Sequence, residues 1–325
     1  MHSSPNARRR RRFTEFSAIA ALLAVVACAP RAPSGLKSDN NTAGSKPQSD
    51  KDPRTVDRNG AAKVQYSTPY RAQLGHGAEI YIPPWFVSDQ GAYDLVIHFH
   101  GLGRLQEANL QVAQLNAVVV SVNFGGTSEH YSRNYKDPHA FTVLLDAIKR
   151  SVTESGRANG EKVRRLALTA WSAGFLAISR IINDPEVEGR VDAILLADGF
   201  FSTYTNPRTR EVNVSHLGKW VKVTEAATRG DKLLAITHSA IPGFKYPGVD
   251  EVVGKLLKMS SLAKTPSSAV GPQKMQETYS VDKGAFHVHG YEGQRAGDHI
   301  RHIRAMGETL YPYLVQRWST YPSGK

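Results

Sequence analysis

The run Leu166-Ala167-Leu168-Thr169 leads straight into Ala170-Trp171-Ser172-Ala173-Gly174, and the residues after it, Phe175, Leu176, Ile178, Ile181 and Ile182, recur at helical spacing. A β-rich run, a serine among small residues and an apolar helix describe a sharp strand-to-helix turn. Such a turn lifts a hydroxyl above a sheet edge, where it can act as a nucleophile. The small neighbours keep strand and helix from clashing, and Ala170, standing where such turns usually carry glycine, is small enough to serve. A serine hydroxyl is a weak nucleophile until a base takes its proton, so the chain's 12 histidines come next. Four of them form two His-x-His pairs, His98 with His100 and His287 with His289, a spacing that puts both rings on one face of a strand and suits a divalent metal. A metal-dependent hydrolase is therefore the alternative chemistry. No HExxH, glycine-rich phosphate loop or paired-carboxylate motif is present. The single cysteine, Cys28, excludes an intramolecular disulfide, a cysteine zinc site and an iron–sulfur cluster.

The elements that must hold these residues alternate from about residue 62 onward between short β-rich runs and helical patterns, which predicts an α/β domain with a mostly parallel sheet and helices on both faces. The expected strands are Val64–Thr68, Glu79–Ile82, Asp94–Phe99, Ala117–Val122, Leu166–Thr169, Val191–Leu196, Lys232–Ile236 and Phe286–Gly290, eight in all. Several are continuous apolar runs, as a sheet covered on both faces requires. Phe141, Leu144, Leu145, Ile148 and Val152 make one helical stripe, and Ile303, Met306, Leu310 and Leu314 another; both read as core. Pro312 should bend or shorten the last helix. Two polar stretches, 202–213 and 264–283, read as surface loops.

With the serine turn on a predicted strand, the chain resembles the α/β-hydrolase superfamily over roughly residues 76–318. Ile80-Tyr81-Ile82-Pro83 and Asp94-Leu95-Val96-Ile97-His98-Phe99-His100-Gly101 resemble the opening strands and oxyanion loop of its secreted esterases. The resemblance implies a nucleophile at Ser172 and oxyanion donors in the backbone N–H groups of Ala173 and Leu102. It also implies an oxyanion loop at His100, Gly101 and Gly103, whose glycines let backbone approach a developing negative charge. The superfamily's order of serine, acid, histidine implies His299, in Gly297-Asp298-His299-Ile300, as general base. The acid is implied at Asp198, where the run Ile194-Leu195-Leu196-Ala197-Asp198-Gly199 ends, with Asp250 as second choice, because Leu233-Leu234-Ala235-Ile236-Thr237-His238-Ser239 carries no carboxylate at its end. Such a triad needs no cofactor and no metal. It implies a serine hydrolase of the carboxylesterase or lipase type working through an acyl-enzyme on a small-molecule or lipid-like ester, with amide hydrolysis open. A third reading keeps the fold but not turnover, leaving a binding lipoprotein. Trp171, Phe124, Phe200, Phe201, Tyr204 and Trp220 read as core before they read as an acyl pocket.

Five arginines, Arg8 to Arg12, precede a mostly apolar stretch, Phe16 to Ala27, that closes on Val25-Val26-Ala27-Cys28. This is the shape of a secretory signal, too short to span a bilayer, and its end resembles the bacterial lipobox, which implies lipidation at Cys28. Residues 1–27 are then a lipoprotein signal peptide, 28–60 a polar, Pro- and Ser-rich tether, and 61–325 the hydrolase domain. The implied location is the extracytoplasmic cell envelope, on the outer membrane if the organism has one, with the membrane as partner through the lipid. The formal net charge of +12 is concentrated at this end: residues 1–60 hold 11 Lys and Arg against 5 Asp and Glu, whereas the rest holds 30 against 24. The domain therefore lacks the basic stripe of a nucleic-acid binder. At 325 residues and 41% hydrophobic content the chain can bury a full-sized core.

Overall fold

The computed structural model describes residues 55–56, 62–63 and 66–320; the signal peptide, Cys28 and most of the expected tether lie outside the described residues. Thr55–Val56 pairs antiparallel with Ala62–Lys63, across the expected boundary at residue 60. From Tyr70 onward the chain builds a single ten-stranded sheet. In chain order its strands are β1 (Tyr70–Gly75), β2 (Ala78–Ile82), β3 (Tyr93–Phe99), β4 (Val118–Val122), β5 (Val163–Trp171), β6 (Val191–Ala197), β7 (Leu233–His238), β8 (Thr265–Pro266), β9 (Glu277–Lys283) and β10 (Phe286–Tyr291). They lie side by side in the order β8-β9-β10-β7-β6-β5-β3-β4-β2-β1. The six inner strands from β10 to β4 are parallel, and the edge strands pair antiparallel.

The sheet has ten strands rather than the expected eight. Seven of the expected strands are present; of the eighth, Val64–Thr68, residues 64–65 lie outside the described residues and 66–68 form no strand, since Tyr66 lies under the Arg157 guanidinium, Arg157 donates to the Thr68 carbonyl, and Pro69, with no N–H to give a ladder, follows. The sheet edge is instead β1, whose residues alternate between half-buried and exposed because one of its faces meets water. The stretch 264–283 holds β8 and β9, and in β9 only Tyr279 and Val281 are buried, a signal too sparse to outweigh the polar residues between them. The stretch 202–213 carries a small hairpin, Tyr204–Asn206 with Glu211–Val212.

Alternation along the inner strands feeds two cores. Leu95, Ile97 and Phe99 of β3 face one side with Leu166, Leu168, Ile194, Leu196, Leu234 and Ile236, and are covered by α2 (Ser128–Asn134), α3 (His139–Glu154), α4 (Phe175–Ile181), α6 (Gly218–Thr228) and α7 (Val249–Met259). Val96, Ala167, Ala193, Leu195, Ala197 and Ala235 face the other, under α1 (Gly103–Ala113), α8 (Ala296–Arg304), α9 (Met306–Thr309) and α10 (Tyr311–Thr320). Between α4 and β6 lies the short α5 (Pro185–Arg190). Pro312 falls in the first turn of α10, where its missing N–H costs no helical bond, and the helical stripe from Ile303 to Leu314 is carried by three short helices rather than one bent one. No helix among the described residues is long and apolar enough to cross a membrane.

The end of the sheet where β3 and β5 begin is tied by charge. Asp94, buried, accepts from Arg164 through Nε at 2.9 Å and Nη2 at 2.6 Å, and from Arg165 through Nε at 2.9 Å and Nη2 at 2.5 Å; Arg165 also donates to the Trp318 carbonyl of α10. Removing the carboxylate takes from two half-sheltered guanidinium groups the buried acceptor they share, leaving Arg164 its bond to Asp89 at 3.2 Å and Arg165 its bond to the Trp318 carbonyl. Asp94→Ala is expected to lower the free energy of unfolding by about 3–5 kcal/mol, read from urea denaturation midpoints.

Candidate active site

Three neighbouring parallel strands, β3, β5 and β6, end at Phe99, Trp171 and Ala197, and the next residue in each case is a non-glycine with left-handed backbone: His100 at φ +76°, Ser172 at +49° and Asp198 at +44°. Such conformations cost on the order of 1–3 kcal/mol each and persist only where their surroundings enforce them. Here two glycines do so. A Cβ on Gly174 would stand 2.0 Å from the Phe99 carbonyl oxygen, and one on Gly199 would stand 2.6 Å from the Ser172 nitrogen. The turn after β5 and the turn after β6 therefore touch backbone to backbone, which sets Ser172 beside Asp198. Ala170 is fully buried and fits where glycine is more usual.

His299 lies in the first turn of α8, rather than in the loop before it, and its Nδ1 is 2.7 Å from Asp198 Oδ2. A carboxylate only accepts, so Nδ1 donates and Nε2 is left as a bare acceptor. Asp198 accepts two further bonds from the end of β7, Ser239 N–H to Oδ1 at 2.9 Å and Ser239 Oγ to Oδ2 at 2.7 Å. Burial alone would raise the Asp198 pKa; the positive charge available to His302 and His299, with the His299 and Ser239 hydrogen bonds, outweighs it and holds the carboxyl well below the usual range. Asp250, the second choice for the acid, lies in the first turn of α7 and makes no bond to His299. Asp298 caps α8 by accepting from Gln294 and Arg295 N–H, both at 3.0 Å.

Ser172 Oγ and His299 Nε2 are both buried and both without a hydrogen-bond partner. The serine–histidine bond is not closed, and each atom keeps its full capacity for a reacting group. Trp171, next to the serine, donates its indole N–H to the His299 carbonyl at 3.0 Å and lays its ring 4.7 Å from the imidazole. Its other neighbour is the His100 ring, stacked at 4.9 Å and 10°.

His100 to Gly103, the expected oxyanion loop, joins β3 to α1. Gly101, at φ +112°, could not carry a Cβ without meeting Ile303, and Ala173 sits in the 3-10 turn Ser172–Gly174 directly after the serine. Leu102 is the N-cap of α1, with its side chain exposed. Gly103 is helical, and the space beside it is filled by the Glu79 carboxylate, so its glycine serves that contact.

The His-x-His pairs do not act as pairs. His98 Nε2 donates to the His100 carbonyl at 2.7 Å while Nδ1 meets Thr169 Oγ1; His100 lies past the strand end, where left-handed backbone breaks the alternation. His287 and His289 do share a face, but each Nδ1 is held by a carboxylate, Asp282 and Glu277, and both rings lie against Tyr313. Among the described residues no three His, Cys, Asp or Glu converge as metal ligands. Phe200 and Trp220 are packed with Phe175 in the core, Phe201 and Tyr204 are partly buried nearby, and Phe124 packs on Tyr131. Nothing in their flanking residues marks Ser239, His302 or Tyr131, the last bonded to His100 Nδ1 at 3.0 Å.

A mostly parallel sheet ordered β2-β4-β3-β5-β6-β7-β10, with a serine on the turn after β5 and a histidine past the last parallel strand, decides the architecture. The fold is the α/β-hydrolase fold. No family model matches the sequence, and no curated protein matches it. Among solved structures the chain is similar to the feruloyl esterase module from Clostridium thermocellum, at 12% identity over 80% of this chain and 92% of that one, with a TM-score of 0.46. It is also similar to acetyl xylan esterase from Aspergillus awamori (13%, 71% and 97%, TM-score 0.38) and to a hyperthermophilic esterase from the archaeon Pyrobaculum calidifontis (13%, 74% and 84%, TM-score 0.38).

Two buried rings of this region carry a pH consequence. Burial pushes His98 down to about 3 and His302 down to about 4, so both stay neutral in the folded chain while the unfolded chain titrates near the ordinary value. Stability is then fully present above about pH 6.5 and is lost as pH falls below it, by about 2 kcal/mol for each ring at pH 5. Urea midpoints are expected to be lower at pH 5 than at pH 7.5, and the gap should narrow in a folded His302→Asn variant. Equal wild-type midpoints would show that the rings are not held neutral.

Proposed function

We propose that the protein is a serine hydrolase of carboxylic esters. The observation that carries this is the buried bond from His299 Nδ1 to Asp198, which leaves Nε2 unpartnered in the same site as the unpartnered, left-handed Ser172. His299 Nε2 takes the Ser172 proton as Oγ attacks the acyl carbonyl. Asp198 stabilises the imidazolium, and Ser239 holds the carboxylate in place with two donors. The backbone N–H groups of Ala173 and Leu102 receive the oxyanion. His299 returns the proton to the departing alcohol; water, deprotonated by the same ring, then attacks the acyl-enzyme, and as the acid leaves the ring gives that proton back to Ser172 Oγ. The chemistry is complete with the chain's own residues. An ester rather than an amide is favoured by the resemblance of residues 80–103 to the opening strands and oxyanion loop of secreted esterases.

The wild-type chain is expected to take one fluorophosphonate label, on the peptide holding Ser172, and Ser172→Ala to lose both label and ester turnover while keeping its thermal midpoint. Full turnover in Ser172→Ala would overturn the assignment. We further propose that Cys28 is lipidated and holds the domain on the outer side of the cell envelope, supported by the arginine run, the apolar stretch and the small residues before it. Cys28→Ser is expected to abolish incorporation of labelled fatty acid and to release the chain from the membrane fraction; unchanged labelling would remove the anchor from this reading.

A further inference from the structure

We propose that Trp171 positions His299 for proton transfer, clamping the imidazole between its indole and the Asp198 carboxylate. This rests on the serine-hydrolase reading. His299 is fixed by hydrogen bonding on its Nδ1 edge alone, because Nε2 has no partner. One bond on one edge leaves the ring free to tilt about it. The indole removes that freedom: its ring lies 4.7 Å from the imidazole with 31° between planes, and its N–H holds the His299 backbone carbonyl at 3.0 Å. Ring and main chain of the base are thus both referred to the residue bonded covalently to Ser172, so nucleophile and base share one rigid reference.

The clamp is itself backed. His100 stacks on the indole at 4.9 Å and 10°, and its Nδ1 is tied to Tyr131 Oη at 3.0 Å. Tyr131, fully buried, is anchored by Phe124 N–H at 3.0 Å and by Asn123 Oδ1 at 3.1 Å. A side chain serving only as core filler has no need of the directed bond to His299 or of a stacked, hydrogen-bonded second ring.

The test compares Trp171→Phe, which keeps an aromatic face but loses the N–H, with Trp171→Leu, which loses both, on a soluble ester. Turnover is counted per active site titrated with a fluorophosphonate, so that unfolded chain does not register. The leucine variant is expected to lose kcat by on the order of 10- to 100-fold with KM within about twofold, the loss typical of a misplaced catalytic group, and the phenylalanine variant, which keeps the face but frees the His299 carbonyl, to lose about three- to tenfold. Wild-type kcat per site in Trp171→Leu overturns the inference; if the leucine variant fails to fold, wild-type kcat per site in a folded Trp171→Phe overturns it instead. A rise in KM with kcat unchanged would make Trp171 a substrate contact and also overturn it. No label on wild-type Ser172 would instead bring down the serine-hydrolase reading, and this inference with it.

Discussion

The Asp198 carboxylate is the group on which the site depends. It is buried at the end of β6, accepts hydrogen bonds from His299 and twice from Ser239, and so joins α8, β6 and β7 at one point. A buried carboxylate without those donors would be costly, and each donor is itself placed by a separate element. The bond to His299 spans 101 residues of sequence. It forms only because the parallel order of β5, β6, β7 and β10 delivers the chain to the same end of the sheet each time.

That end of the sheet carries strain while the other is reinforced. Three adjacent strands finish in left-handed residues, and the turn after β5 approaches the end of β3 and the turn after β6 so closely that only glycine fits at 174 and 199. At the opposite end of β3 and β5, Asp94 is held by Arg164 and Arg165, and Arg165 reaches on to α10. The inner strands between are buried on both faces, so the sheet behaves as a stiff plate. Strained turns on a stiff plate keep their geometry without a ligand, which is what preorganisation demands.

How much of this could be read from sequence follows from how local each signal is. Ser172 was legible because strand, small residues and helix are contiguous, and the inner strands because burial on both faces leaves unbroken apolar runs. Asp198 and His299 were reached through resemblance, since nothing in their flanks distinguishes them from Asp250 or from the other histidines. Ser239 is silent in the sequence because a serine at a strand end carries no mark of its partner; it supplies two donors to the carboxylate at the end of the next strand. β1 and β9 were missed because a half-exposed strand shows only every second residue to a core. The pairing of His98 with His100 failed for a backbone reason: the second ring lies beyond the strand end, where side chains no longer alternate.

The same burial that hides these details directs the electrostatics. Four further histidines stand in or beside the site, and burial lowers the pKa of each: His98, His100, His238 and His302. His238 is also committed, Nδ1 to the Ser239 carbonyl and Nε2 to the Tyr279 hydroxyl. A second imidazolium close to Asp198 would share its charge. Rings held down by burial do not, so the negative charge of Asp198 faces the one imidazole that both touches it and presents a bare nitrogen. The cost is borne by folding stability below neutral pH, and in the proposed reaction only one of these five rings carries the proton.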